Sequence, residues 1–246
     1  MNNYGIIIEA RTGSKRLPKK ILKKINGISI LEYLINRVKK QKKIKNIIVA
    51  TTTKKADLSI IKIAKKKKIS FFQGSENDLI KRTIDAAKKN NIENIIQVTA
   101  DNPFFDLNIF NQLLNKFKSK KYIFVSNSIN GNFPIGADIR IFNINALKKT
   151  SKFVKKKARQ HTCYYFLKNK DRIKSFTLKA KGIYRRPQYR LTIDYSLDFK
   201  FVKKIILNFK NEYCSLKEII NYLDKKKHLL KINDNLPTKL KIPNYN

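Results

Sequence analysis

Short continuous apolar runs alternate with amphipathic stretches of helical period through the first half of the chain. This alternation narrows the fold more than any other feature. Residues 4–10, 44–50, 69–72, 94–100 and 122–126 read as strands. Between the first two, Ser29 opens a helix with Glu32 three residues on, a capping-box pair. Ile30, Leu31, Leu34, Ile35 and Val38 form that helix's apolar stripe. A second helix carries Leu58, Ile61 and Ala64. A third starts near Ser75 and Asp78 and runs to about Asn90. A fourth sets Phe110, Leu113, Leu114 and Phe117 on one face. Strands apolar on both faces, alternating with such helices, predict an α/β fold: a mostly parallel, Rossmann-like sheet covered by helices on both faces. Ligands of such sheets bind at the carboxyl ends of the strands. The segments to inspect are therefore 11–20, 51–53, 74–82 and 101–103.

The second half is less regular. Residues 136–142 read as a strand, 144–166 as largely helical and 172–178 as a strand. Residues 190–193 read as a short strand ending at Asp194. A helix follows Ser196, and another carries a Ser215/Glu218 capping box. Residues 233–246 hold two prolines and no periodicity, and are expected to be loosely ordered. The expected organisation is one domain over 1–232, with a nucleotide half at 1–128 and a sugar or dimerisation half at 129–232.

With 246 residues and 42% hydrophobic content, the chain can bury a substantial core. No apolar run reaches the length of a membrane span, so no membrane partner is expected. The first apolar run lacks a basic flank before it and passes directly into charge. It is read as a strand and not as a signal peptide, which predicts a cytoplasmic protein. Cys163 and Cys214 lie far apart, outside any metal spacing, and are expected to be reduced thiols.

The net charge is +39, from 56 Lys and Arg against 17 Asp and Glu. Such charge suits a nucleic-acid binder. Against that, Lys is spread along the whole chain, Arg is scarce beside it, and Ile and Asn are overused too, as AT-rich codons produce. A specific nucleic-acid surface would use Arg for bidentate contacts. No aromatic RNA-binding strand, zinc spacing or recognition helix is present. Specific nucleic-acid binding is therefore not expected, although the charge would draw in an anionic nucleotide.

Two places can carry chemistry. The loop after the first strand runs Arg11-Thr12-Gly13-Ser14-Lys15-Arg16-Leu17-Pro18-Lys19-Lys20. Its cations surround a Gly-Ser turn whose backbone amides can meet phosphate. It is neither a Walker A loop nor a dinucleotide fingerprint. Asp101 follows the strand at 94–100, and Asp194 follows 190–193. Each carboxylate alone can simply cap the next turn. As a pair at neighbouring strand ends, they can hold Mg²⁺ against phosphate oxygens.

Taken in order, these segments resemble the sugar cytidylyltransferases. That group includes the 3-deoxy-manno-octulosonate and acylneuraminate cytidylyltransferases, and the resemblance is greatest to the spore coat polysaccharide biosynthesis protein F group. It is carried by residues 10–22, Val49-Ala50-Thr51-Thr52-Thr53, Gly74-Ser75-Glu76-Asn77-Asp78, Thr99-Ala100-Asp101-Asn102-Pro103 with Asp106, and Val125-Ser126-Asn127. Pro134-Ile135-Gly136-Ala137-Asp138, Arg159-Gln160-His161-Thr162 and Leu191-Thr192-Ile193-Asp194 extend it.

The resemblance implies a nucleotide-diphospho-sugar transferase fold, usually dimeric, that uses CTP, Mg²⁺ and a sugar substrate. Carried over, Arg11, Gly13, Ser14, Arg16 and Lys20 would meet the triphosphate. Asp101 and Asp194 would hold Mg²⁺, with Arg11, Lys20 and Asp101 as the catalytic set. Ala50, Thr51, Thr52, Ser75, Asp78 and Arg82 would surround base and ribose. Arg159 and His161 would face the sugar or its carboxylate, and His161 is also a candidate general base. Transfer of CMP with release of pyrophosphate, for surface glycan synthesis, is the implied reaction. A different nucleoside triphosphate is the alternative within the same chemistry.

Four departures from the family pattern stand out. Lys19 occupies a usual glycine position, and Glu9 a usual glutamine or proline. Tyr195-Ser196-Leu197-Asp198 replaces Thr-Pro-Glu-Asp, and Ile135 replaces an acidic residue.

Overall fold

A computed structural model describes residues 3–128, 130–210 and 213–237. The first half runs β1 (Tyr4–Glu9), a small hairpin of β2 (Lys24–Ile25) and β3 (Ile28–Ser29), then α1 (Ile30–Val38). It continues with β4 (Asn46–Thr52), α2 (Leu58–Lys66), β5 (Ser70–Gly74), α3 (Leu79–Lys89), β6 (Asn94–Thr99), α4 (Leu107–Lys118) and β7 (Phe124–Ser126). The second half supplies β8 (Arg140–Asn143), α5 (Ile144–Ser151), α6 (Tyr164–Lys168), β9 (Ser175–Thr177), α7 (Ser196–Asn208) and α8 (Leu216–Lys225).

The main sheet has seven strands in the order β5-β4-β1-β6-β8-β7-β9. All its pairings are parallel except those of β8, which runs against both β6 and β7. The carboxyl ends of β1, β4, β5, β6 and β7 therefore share one edge. Strand alternation divides the core between two faces. Ile6 and Ile8 pack with α1, α4, α7 and α8, whereas Ile7 packs with α3, α5 and α6. Both expected capping boxes form, at Ser29/Glu32 and Ser215/Glu218.

Several expectations are corrected. Residues 190–193 are not a strand: Arg190 makes only an isolated bridge to Ile135. Their amides have other acceptors, with Leu191 N donating to Ile135 O at 2.7 Å and Ile193 N to Asp101 O at 2.9 Å. This close approach requires Gly136. Its φ is +96°, and a Cβ there would lie 2.5 Å from Thr192 N. The strand expected at 136–142 shrinks to β8 because the chain turns at this glycine. The helical stretch at 144–166 breaks into α5, a 3-10 segment (Lys156–Gln160) and α6. Finally, Asn233 is anchored and not loose. It is 4% exposed and its side-chain amide donates to Arg190 O and Asp198 Oδ1. Residues 238–246 of the expected tail lie outside the described residues.

Candidate active site

A cleft of about 810 Å³ opens at the carboxyl edge of the sheet. The loop after β1 forms one wall, with Arg11, Gly13, Ser14, Lys15, Arg16 and Lys20 all lining it. Internal bonds fold the loop over on itself. Ser14 N and Lys19 N both donate to Thr12 O, at 2.8 and 3.1 Å, and Leu17 N reaches Ser14 Oγ at 3.4 Å. The amides of Gly13, Lys15 and Arg16 make no hydrogen bond among the described residues. They remain as donors on the cleft wall, beside the loop's cations. Lys19 sits in the left-handed region with φ 55°, which is where a glycine would be relaxed.

Asp57 is the loop's anchor, and the sequence did not single it out. It is 1% exposed and accepts from Thr12 N at 2.8 Å and Thr12 Oγ1 at 2.6 Å. Thr52 Oγ1, at the end of β4, donates to its other oxygen. Burial alone would raise its pKa, but the hydroxyl and amide donors outweigh burial and hold it below the usual carboxylate range. An Asp just before a helix reads as a cap, yet Asp57 makes no side-chain cap bond to α2.

Asp101, just past β6, and Asp194 meet on one cation. Lys20 Nζ lies 2.6 Å from Asp101 Oδ2 and 2.9 Å from Asp194 Oδ1. Arg16 adds a second cation to Asp194 Oδ1 at 2.6 Å, and Arg190 reaches Asp194 Oδ2 at 3.2 Å. Burial raises the Asp194 pKa, but Lys20 and Arg16 overcome it and lower the value to about 2. Lys20 shows the complementary balance: burial works against its charge, and the two carboxylates hold its pKa above the ordinary lysine value. The altered corner after Asp194 has a structural role. Asp198 is 0% exposed, accepts from the amides of Asp194 and Tyr195, and pairs with Arg190. The Tyr195 ring lies against Arg16, 5.1 Å from its guanidinium carbon.

Glu9 and Arg82 form the cleft floor. Glu9 Oε1 accepts from Thr83 and Thr162, and Oε2 from Gln97 at 2.7 Å. Burial still raises its pKa. Arg82 donates to Ser75 O at 2.9 Å, while its buried Nε has no partner among the described residues. Desolvation lowers the Arg82 pKa. The far wall comes from the second half, through Lys157, Gln160 and His161. Gln160 joins the walls: it accepts from Arg11 at 3.0 Å and donates to Asn77 O at 2.8 Å.

Other expected site residues are not brought to the cleft. Arg159 is engaged elsewhere, pairing with Asp78 Oδ2 at 2.6 Å and donating to Ser151 O and Val154 O. Asp78 caps α3. Ser75 Oγ accepts from Asp78 N. Ala50, Thr51 and Thr52 are buried beneath the sheet edge. Of these, Thr52 holds Asp57 through its hydroxyl.

The chain is similar to known proteins over most of its length. A family model described as cytidylyltransferase matches residues 5–234. An uncharacterised protein of Methanocaldococcus jannaschii is 35% identical over 234 residues, covering 95% of each chain. The spore coat polysaccharide biosynthesis protein SpsF of Bacillus subtilis is 29% identical over 213 residues, 83% of this chain and 87% of that protein. The solved structure of a cytidylyltransferase from Leptospira borgpetersenii is 32% identical, with a TM-score of 0.89 over 97% of this chain and 99% of that one. With a family match across nearly its whole described length and a nucleotidyltransferase sheet beneath it, the chain belongs to the cytidylyltransferase family.

Proposed function

We propose that the protein transfers CMP from CTP to a sugar and releases pyrophosphate, with magnesium held by Asp101 and Asp194. The observation that carries this reading is the single ammonium of Lys20 touching both carboxylates, in the same cleft as the loop's free amides. Two hard oxygen donors around a position that already favours a cation suit magnesium, which takes its remaining ligands from phosphate and water. Among the described residues no group of three or more His, Cys, Asp or Glu side chains could hold a metal by itself. A site completed by the nucleotide is consistent with that.

In the proposed reaction a sugar hydroxyl attacks the α-phosphorus of CTP in line. The bond to the α,β-bridging oxygen breaks, pyrophosphate departs with the electron pair, and the hydroxyl proton is given up to water. The amides of Gly13, Lys15 and Arg16 and the side chains of Arg11, Arg16 and Lys20 hold the β- and γ-phosphates. They stabilise the charge that builds on the leaving group. When bound, magnesium would draw charge from the phosphoryl oxygens and lower the pKa of the attacking hydroxyl. Arg82 on the cleft floor would face the nucleoside, and His161 and Lys157 on the far wall would face the sugar.

The cleft carries Arg11, Lys15, Arg16, Lys20, Arg82 and Lys157 against Glu9, Glu76, Asp101 and Asp194. This cationic excess suits a triphosphate together with an acidic acceptor, so a nonulosonic or related acid sugar is proposed. SpsF is named for spore coat polysaccharide biosynthesis, and a role in surface glycan synthesis is proposed here by that likeness. Among the described residues no helix is long and apolar enough to cross a membrane. A cytoplasmic homodimer is the proposed working form.

The test is pyrophosphate release from each of the four nucleoside triphosphates over a panel of nonulosonic and amino sugars. CTP with an acid sugar is expected to give the highest rate. Turnover with another triphosphate but not CTP would reject the base assignment.

A further inference from the structure

We infer that Lys20 is a tethered cation that keeps the metal seat closed until a nucleotide takes its ammonium away. The inference rests on the proposed magnesium site and goes beyond it to the order in which ligands enter.

The geometry is that of an occupied seat. Lys20 Nζ sits at hydrogen-bond distance from both carboxylates, at 2.6 and 2.9 Å. Asp194 is further engaged by Arg16 at 2.6 Å on the same oxygen and by Arg190 at 3.2 Å on the other. A divalent ion approaching this pair meets an ammonium already in contact with it. The cations differ in their freedom to leave. Arg190 is 4% exposed and fixed by its pair with Asp198. Arg16 and Lys20 belong to the phosphate-facing loop; the Arg16 side chain is 35% exposed, and the Lys20 side chain, 10% exposed, is held in place mainly by the two carboxylates that a triphosphate would replace. A triphosphate along that loop offers both of them stronger anionic partners than a shared carboxylate. Their withdrawal uncovers Asp101 and one oxygen of Asp194 just as phosphate oxygens arrive to complete a coordination shell. Metal and nucleotide would then enter as a coupled pair, each strengthening the other.

The test measures Mn²⁺ binding to the nucleotide-free protein by calorimetry. Wild type is expected to bind Mn²⁺ weakly alone and tightly once CTP is present without acceptor. Lys20→Met is expected to bind Mn²⁺ alone about tenfold more tightly than wild type, and adding Asp101→Asn is expected to remove the gain. Arg16→Gln leaves Lys20 in place and is expected to give a smaller gain in the same direction. It serves as the readout if circular dichroism shows that Lys20→Met does not fold. Mn²⁺ binding to a folded Lys20→Met no tighter than to wild type overturns the inference while leaving the proposed function standing. Absence of Mn²⁺ binding even to the CTP-loaded wild type overturns the metal reading and this inference together.

Discussion

Arg190 and Asp198 form a buried ion pair directly behind Asp194, with Arg190 Nε 2.8 Å from Asp198 Oδ1 and side-chain exposures of 4% and 0%. The same guanidinium reaches Asp194, and the same carboxylate accepts the amides of Asp194 and Tyr195. The pair therefore sets where Asp194 stands. Removing one partner leaves the other charge buried and uncompensated, which costs about 3–5 kcal/mol. Arg190→Met and Asp198→Asn are each expected to lower stability in urea by an amount in that range. A loss below about 1 kcal/mol in both would show that the pair is not what holds this corner.

Asp194 gives the stability a dependence on acid. Its folded pKa, lowered to about 2 because Lys20 and Arg16 outweigh burial, lies below its value in the unfolded chain. The unfolded chain therefore takes up a proton first as pH falls. The stabilisation is complete above the unfolded value and is lost as pH drops from about 4 to about 2. Its size is up to about 2 kcal/mol. Asp194→Asn is expected to flatten this part of a stability profile measured by urea unfolding across that range.

Asp57 ties the loop after β1 to the end of β4 through Thr12 and Thr52. Asp57→Ala leaves those donors without their shared acceptor, at about 1–3 kcal/mol per buried group. Affinity for CTP is expected to fall by about tenfold or more, because the loop amides lose their fixed positions. Isothermal titration with CTP, beside a thermal melt, separates the two effects. Unchanged affinity in a destabilised variant would mean that the loop keeps its shape without Asp57.

Lys19 holds a φ of 55° in a conformation that costs a side-chain-bearing residue about 1–2 kcal/mol. Lys19→Gly relieves that strain but adds about 0.5–1 kcal/mol of chain entropy to the unfolded state. A net stabilisation of about 0.5 kcal/mol is expected. Lys19→Ala removes the same charge without relieving the backbone and is expected to give none. Equal melting temperatures for the two variants would assign the effect to charge and not to conformation.

What the sequence revealed follows the range of the forces involved. β1, β4 and β6 were legible because continuous apolar runs such as Gly5-Ile6-Ile7-Ile8 report burial on both faces locally. The capping boxes were legible because their donors and acceptors lie three residues apart. The strand expected at 190–193 was not formed, because its amides pair with Ile135 and Asp101, and that choice is made across the fold. Arg159 illustrates the same limit. Its place in a motif suggested a sugar contact, whereas Asp78, 81 residues away, takes its guanidinium. Lys20, Asp101 and Asp194 could each be singled out from sequence, but their meeting at one nitrogen could not, since it joins residues up to 174 apart.

The central claim is that Asp101 and Asp194 form the metal-holding centre of a CMP transfer, and Asp101→Ala tests it most directly. Asp101 is a partly exposed strand-end residue whose side-chain partner is Lys20, so its removal is expected to leave the melting curve and circular dichroism close to wild type. Magnesium-dependent pyrophosphate release from CTP and the acid sugar is expected to fall at least about 100-fold. Near-normal release from a folded Asp101→Ala protein would contradict the assignment.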